Sequence, residues 1–125
     1  MSKRKILIID DEADFTELVK LNLEKSDKYI VREENLGRHA IEAIRDFRPD
    51  LVLLDVMMPD LDGSEIMNLI KKDDDLKNIP VIFLTAVVTN EETKRNKNII
   101  GGYKFISKPA LPDKIMKFIE EYFGD

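Results

Sequence analysis

The chain has no cysteine and a single histidine in 125 residues. A disulfide framework, a thiolate nucleophile and a multi-histidine metal site are therefore all excluded. Long hydrophobic runs are missing too, because the strand-like ones are only a few residues long and a membrane span needs about 18. An excess of positive charge is also lacking: Lys+Arg 20 against Asp+Glu 25 gives a net charge of -5. That balance repels a phosphate backbone, so no direct nucleic acid partner is expected. The basic residues 3–5 followed by Ile6 to Ile9 imitate a signal peptide, but the apolar run ends at once in Asp10, Asp11 and Glu12. A soluble, cytoplasmic protein without membrane insertion is the expectation. No repeat, low-complexity stretch or Pro/Gly/Ser-rich linker divides the sequence, so one domain over residues 1–125 is expected. With 43% hydrophobic residues, it can build one core.

What the sequence does contain is an alternation of hydrophobic periods. Short β-branched runs (Ile6-Leu7-Ile8-Ile9, Tyr29-Ile30-Val31, Leu51-Val52-Leu53-Leu54, Val81-Ile82-Phe83-Leu84, Phe105-Ile106) are separated by segments with helical spacing. Continuous apolar runs suit parallel strands covered on both faces. The first intervening segment puts Phe15, Leu18, Val19 and Leu23 on one helix face, with Leu21 off it. The second carries Ala40, Ile41 and Ile44 and stops before Pro49, the third has Ile66, Leu69 and Ile70, and the last, opened by Pro112, has Ile115, Ile119 and Phe123. Five strands alternating with helices predict an α/β fold, a doubly wound parallel sheet with helices on both faces. The fourth helix is weak, because residues 89–98 include no apolar side chain.

Four of the five runs end in chemistry-bearing residues: Asp10 and Asp11, then Asp55, Thr85, and Ser107 to Lys108. In a parallel sheet those ends share one edge, where ligands of open α/β sheets bind. Three carboxylates gathered there would drive at least one pKa upward unless a cation intervened. All-oxygen ligands with room for water and phosphate suit Mg²⁺. Lys108 and Thr85 add an ammonium and a hydroxyl, which fits an anion with several oxygens, such as phosphate. Taken singly, an Asp after a strand is a turn residue or a helix cap, and a Lys-Pro pair means little. Complementary charges at four strand ends are harder to attribute to independent turns.

These residues lie in four stretches: Ile6 to Glu12; Pro49 to Gly63, which contains Leu54-Asp55-Val56-Met57-Met58-Pro59; Ile79 to Ala86; and Gly101 to Pro109, which contains Phe105-Ile106-Ser107-Lys108-Pro109. Through them, residues 5 to 123 resemble the receiver domain of two-component response regulators. The resemblance implies a flavodoxin-like sheet of order 2-1-3-4-5, with Asp55 as phosphoacceptor. It implies Mg²⁺ held directly by Asp11, by Asp10 through water, by Asp55, and by the Met57 backbone carbonyl. Thr85 and Lys108 would contact phosphoryl oxygens, Phe105 would be the aromatic that turns inward on activation, and Lys108-Pro109 would be a cis peptide bond. The donor would be a sensor histidine kinase or phosphotransfer protein, and the output a downstream protein or a fused domain. A phosphorylation-dependent dimer is compatible with the same resemblance. Such a chain is not an enzyme beyond catalysing its own phosphorylation and dephosphorylation.

Further expectations follow. Met57 and Val87 stand where the family varies the residues that orient a hydrolytic water, and neither side chain holds water strongly, so self-dephosphorylation should be slow. Segment 89–98 should change order on phosphorylation. His39 reads as a surface residue and Leu21 as an exposed apolar residue on the first helix. Three other functions compete for the same residues. An aspartyl-phosphate phosphatase would want an Asp-x-Asp pair and a cap domain. A phosphate-independent binding module would tolerate losing site residues. A nucleotide-binding flavodoxin-like protein would want a phosphate-cradling loop where Asp10-Asp11-Glu12 stand. No output region follows Asp125, which leaves a free-standing regulator or a piece of a longer chain.

Overall fold

A computed structural model describes residues 3–85, 99–100, 103–108 and 111–124. Three of the readings above lie outside the described residues: segment 89–98, Val87, and the bond between Lys108 and Pro109. The elements in order are β1 (Arg4–Ile9), α1 (Ala13–Lys25), β2 (Tyr29–Glu34), a short 3-10 turn (Gly37–His39), α2 (Ala40–Phe47), β3 (Leu51–Asp55), α3 (Gly63–Lys72), β4 (Val81–Thr85), β5 (Ile99–Ile100), β6 (Tyr103–Ser107) and α4 (Pro112–Phe123).

Strands β2-β1-β3-β4-β6 form the parallel sheet, in the order 2-1-3-4-5 expected for its five parallel members. Two-residue β5 adds an antiparallel edge beside β6, pairing Ile99 with Lys104 and Ile100 with Tyr103. The sequence did not announce it, since a run of two apolar residues carries no readable period.

Alternate side chains of a strand face opposite sides of the sheet. Ile6 and Ile8 of β1, with Leu51 and Leu53 of β3, pack beneath Val19 and Leu23 of α1 and Ile115 and Ile119 of α4. Leu7 and Ile9, with Val52 and Leu54, pack on the other face against Ala40, Ala43 and Ile44 of α2 and Ile66 and Ile70 of α3. Burial on both faces explains why these strands read as unbroken apolar runs. A truncation such as Ile44→Ala should cost about 2–5 kcal/mol, because close-packed neighbours relax only in part around the space left.

Two helix faces differ from the expected stripes. In α1 the buried residues are Thr16, Val19 and Leu23, while Leu18 is 57% exposed. In α3 Met67 is buried and Leu69 is exposed. Both helices carry apolar residues on more than one side, so counting i, i+3 and i+4 positions could not select the face. Leu21 and His39 are exposed, as expected.

Local signals set the ends of the helices that frame the sheet edge. Asp62 caps α3, its Oδ1 accepting from the Ser64 backbone N–H at 2.8 Å and from the Ser64 hydroxyl at 2.9 Å. Helix α4 opens with Pro112, whose missing N–H costs nothing in the first turn, and closes on Gly124 in the left-handed region (φ 74°).

Candidate functional site

Each parallel strand but β2 delivers a site residue at or just beyond its carboxyl end. Asp10 and Asp11 follow β1, Asp55 ends β3, Thr85 ends β4 and Lys108 follows β6. Carboxylate oxygens of Asp10, Asp11 and Asp55 all lie within 4.8 Å of one another. Lys108 Nζ reaches over this group, 2.7 Å from Asp10 Oδ2, 3.1 Å from Glu12 Oε1 and 3.6 Å from Asp55 Oδ2. Its ammonium also stands 5.3 Å from the centre of the Phe15 ring, which walls one side.

The backbone holds this geometry. The Lys108 N–H donates to the Thr85 carbonyl at 2.8 Å, tying the ends of β6 and β4 together. The Val56 N–H donates to Leu84 O and the Gly63 N–H to Val56 O, so the turn after Asp55 is fastened on both sides. The Met57 N–H donates to Asp55 Oδ1 at 3.3 Å, and the Glu12 N–H to Asp10 Oδ1 at 3.0 Å.

Burial and like charge shape the ionisation. Asp10 is fully buried and Asp55 is 4% exposed. Burial pushes the Asp55 carboxyl up to about 6, and the neighbouring Asp10 carboxylate adds to the rise against the pull of Lys108. Burial likewise raises Asp10, opposed by Lys108 and the Glu12 N–H. For Lys108 burial works downward, but its contacts with Asp10 and Glu12 win and hold the ammonium above its ordinary value.

The site therefore gathers negative charge that Lys108 offsets only in part. Asp10 Oδ2 is buried, and among the described residues its partner is the Lys108 ammonium at 2.7 Å. An all-oxygen donor set of three carboxylates whose charge is only partly balanced fits a hard divalent cation such as Mg²⁺. Asp10, Asp11 and Asp55 are the residues that would hold it. Met57 is 67% exposed, next to the acids.

Among the residues singled out in the sequence, Asp10, Asp11, Asp55 and Lys108 converge. Thr85 is 5% exposed at the end of the adjacent strand, level with Ser107. Phe105 is 1% exposed and pairs in register with Phe83.

Three site-supporting residues escaped the sequence reading. Glu12 carries no role of its own in the sequence reading, yet it shares Lys108 with Asp10. Thr16 is fully buried, and its place at the i position of the Val19 and Leu23 stripe was a usable signal, because a polar group on a core face needs a partner. Asn35 lies in the loop after β2, where Asn reads as an ordinary turn residue.

The sequence profile of the response regulator receiver domain matches residues 6–120. The chain is similar to the polar-differentiation response regulator DivK of Brucella anthropi, with 32% identity over 98% of each chain. Among solved structures, it resembles the N-terminal domain of a response regulator receiver protein from Methanoculleus marisnigri, at 33% identity, TM-score 0.72 and 99% coverage of both chains. It also resembles the Vibrio cholerae chemotaxis protein CheY4, at 25% identity and TM-score 0.79, covering 96% of this chain and 98% of that one.

Proposed function

Because this chain belongs to the response regulator receiver domain family, we propose that it is a phosphoacceptor switch that takes a phosphoryl group on Asp55. The observation carrying this reading is the convergence of three carboxylates and Lys108 at one sheet edge, with Asp55 almost fully buried among them.

Asp55, still largely ionised at pH 7 with a pKa of about 6, attacks phosphorus through a carboxylate oxygen. The bond from phosphorus to the donor's leaving group breaks, and the leaving group carries away its electron pair. A phosphohistidine on a sensor kinase or phosphotransfer protein is the donor class we assign, and acetyl phosphate can stand in for it. Lys108, beside both Asp10 and Asp55, neutralises charge on the transferred oxygens, and the Thr85 hydroxyl hydrogen-bonds another. Asp10, Asp11 and Asp55, with the Met57 carbonyl, would hold Mg²⁺, whose charge offsets that of the incoming phosphoryl group. No side chain is asked to move a proton. The chain acts on no other substrate and works in the cytoplasm.

The phosphoryl group carries about 1.5 to 2 negative charges in place of the single charge of the Asp55 carboxylate, a net gain of up to about one beside Thr85 and Lys108. Drawing these two toward it biases a two-state packing of the face around Phe105, which a downstream protein or a fused domain would read.

The test is incubation with Mg²⁺ and acetyl phosphate followed by intact mass. One phosphoryl adduct on the wild type and none on Asp55→Asn is the expected result. No adduct on either would move the reading to a phosphate-independent binding module.

A further inference from the structure

From the hydrogen bonds around Asp10 we infer that Asn35 is a positioning residue for the acid pair: its amide fixes the peptide plane between Asp10 and Asp11 and so sets how both carboxylates meet a cation. The inference rests on the Mg²⁺ site proposed above.

The Asn35 side-chain NH₂ donates to the Asp10 backbone carbonyl at 2.8 Å and to Thr16 Oγ1 at 3.0 Å. One planar group thus ties the end of β1 to the first turns of α1. Thr16 is itself held. Its hydroxyl lies 2.7 Å from Glu33 Oε1 and 3.1 Å from the Ala13 carbonyl, and its backbone N–H donates to Glu12 O. A hydroxyl has one proton to give, so it donates to one of these oxygens while accepting from Asn35.

The other polar groups of Asp10 are equally committed. Its N–H donates to the Glu34 carbonyl at 3.0 Å, and its Oδ1 accepts from the Glu12 N–H. Consecutive residues 34 and 35 therefore grip Asp10 on both sides of its Cα. Oδ2 faces the Lys108 ammonium at 2.7 Å. The carbonyl that Asn35 holds belongs to the same amide plane as the Asp11 nitrogen, because the peptide unit is planar. Rotating that plane would swing both carboxylates relative to Asp55. Partners behind the ligands of a metal typically change its affinity 10–100-fold when removed.

The test is Mg²⁺ affinity by titration calorimetry on the wild type, Asn35→Ala and Asn35→Asp, with metal-free melting and amide exchange of Glu12 measured alongside. Asn35→Ala should bind Mg²⁺ about tenfold more weakly and exchange the Glu12 amide faster. Asn35→Asp keeps the shape but loses the donor, and should also bind more weakly although its added charge alone would favour the cation. A role in general stability only would lower melting and leave the affinity of the folded protein unchanged, which overturns the inference. Asn35→Asp binding as tightly as the wild type overturns it as well, should Asn35→Ala not fold. A wild type that binds no Mg²⁺ overturns the inference together with the metal reading; a wild type that binds and an Asn35→Ala that binds equally overturns this inference alone.

Discussion

Lys108 Nζ sits 2.7 Å from Asp10 Oδ2, closer than its 3.6 Å approach to Asp55 Oδ2. The ammonium leans on Asp10 rather than on Asp55, with Glu12 at 3.1 Å as a further partner. A cation bound to Asp10 competes with it, and a phosphoryl group on Asp55 draws it across. Lys108→Met should therefore separate two properties. Mg²⁺ affinity should rise severalfold, since a positive charge beside the ligands is gone. Phosphorylation of Asp55 by acetyl phosphate at saturating Mg²⁺ should fall by about 10²-fold, the usual loss for one preorganised charge at a reacting anion. Calorimetry and intact-mass kinetics on one sample give both numbers, and a parallel fall in both would contradict the competition.

How legible this site was follows from where its parts are written. Asp10, Asp55 and Thr85 each directly follow an apolar run that becomes a strand and Lys108 follows one after Ser107, so a parallel sheet places them at one edge. The sheet was legible because its strands are covered on both faces and read as continuous runs. What depends on which way a helix turns was not: Leu18 and Leu69 fit a helical stripe and yet point outward. Nor was Glu12, whose bond with Lys108 joins residues far apart in the chain. Asn35 depends on a loop conformation that no spacing encodes.

The pKa of Asp55 gives the metal-free protein a distinct pH signature. A carboxyl raised in the folded state from 3.8 to about 6 binds its proton more tightly when folded. Its contribution to stability is fully present below pH 3.8 and is lost as pH rises through about 6. Wild type minus Asp55→Asn isolates this group from other carboxylates. In EDTA the difference should become less favourable to the wild type by about 1–3 kcal/mol between pH 4 and pH 7.5. Mg²⁺ should shrink it by stabilising the ionised form. Urea midpoints at the two pH values check the sign, and a difference that grows in favour of the wild type would refute it.

Gly63 opens α3 where the chain passes close to the Asp55 backbone. A Cβ there would meet Asp55 O at 2.4 Å and Val56 Cα at 2.8 Å. Both are main-chain atoms of the strand end, which cannot step aside as a flexible side chain would. Gly63→Ala should cost at least ~2 kcal/mol of stability and weaken Mg²⁺ binding by displacing Asp55. Gly124→Ala offers a contrast, since nothing lies within 4 Å of its Cβ and only its φ of 74° opposes a side chain. That change should cost about 1 kcal/mol and leave Mg²⁺ affinity alone. Equal effects of the two on Mg²⁺ affinity would show that the approach of Gly63 to Asp55 does not shape the site.

Met57 decides how long the phosphoryl group should last. Its N–H donates to Asp55 Oδ1 and its side chain is 67% exposed, two residues beyond Asp55. A thioether accepts hydrogen bonds only weakly and donates none, so it cannot hold that water in line for attack. Hydrolysis would be left to water that finds the geometry unaided, so the wild-type adduct should persist. Met57→Asn puts an amide with both donor and acceptor at the same place. One well-placed hydrogen bond of about 1 kcal/mol that forms only in the transition state accelerates a step roughly fivefold. The decay of the phosphorylated mass peak after removal of acetyl phosphate measures it. Wild-type decay within seconds at neutral pH, or an Asn variant no faster than the wild type, would mean that the water is oriented by some other group.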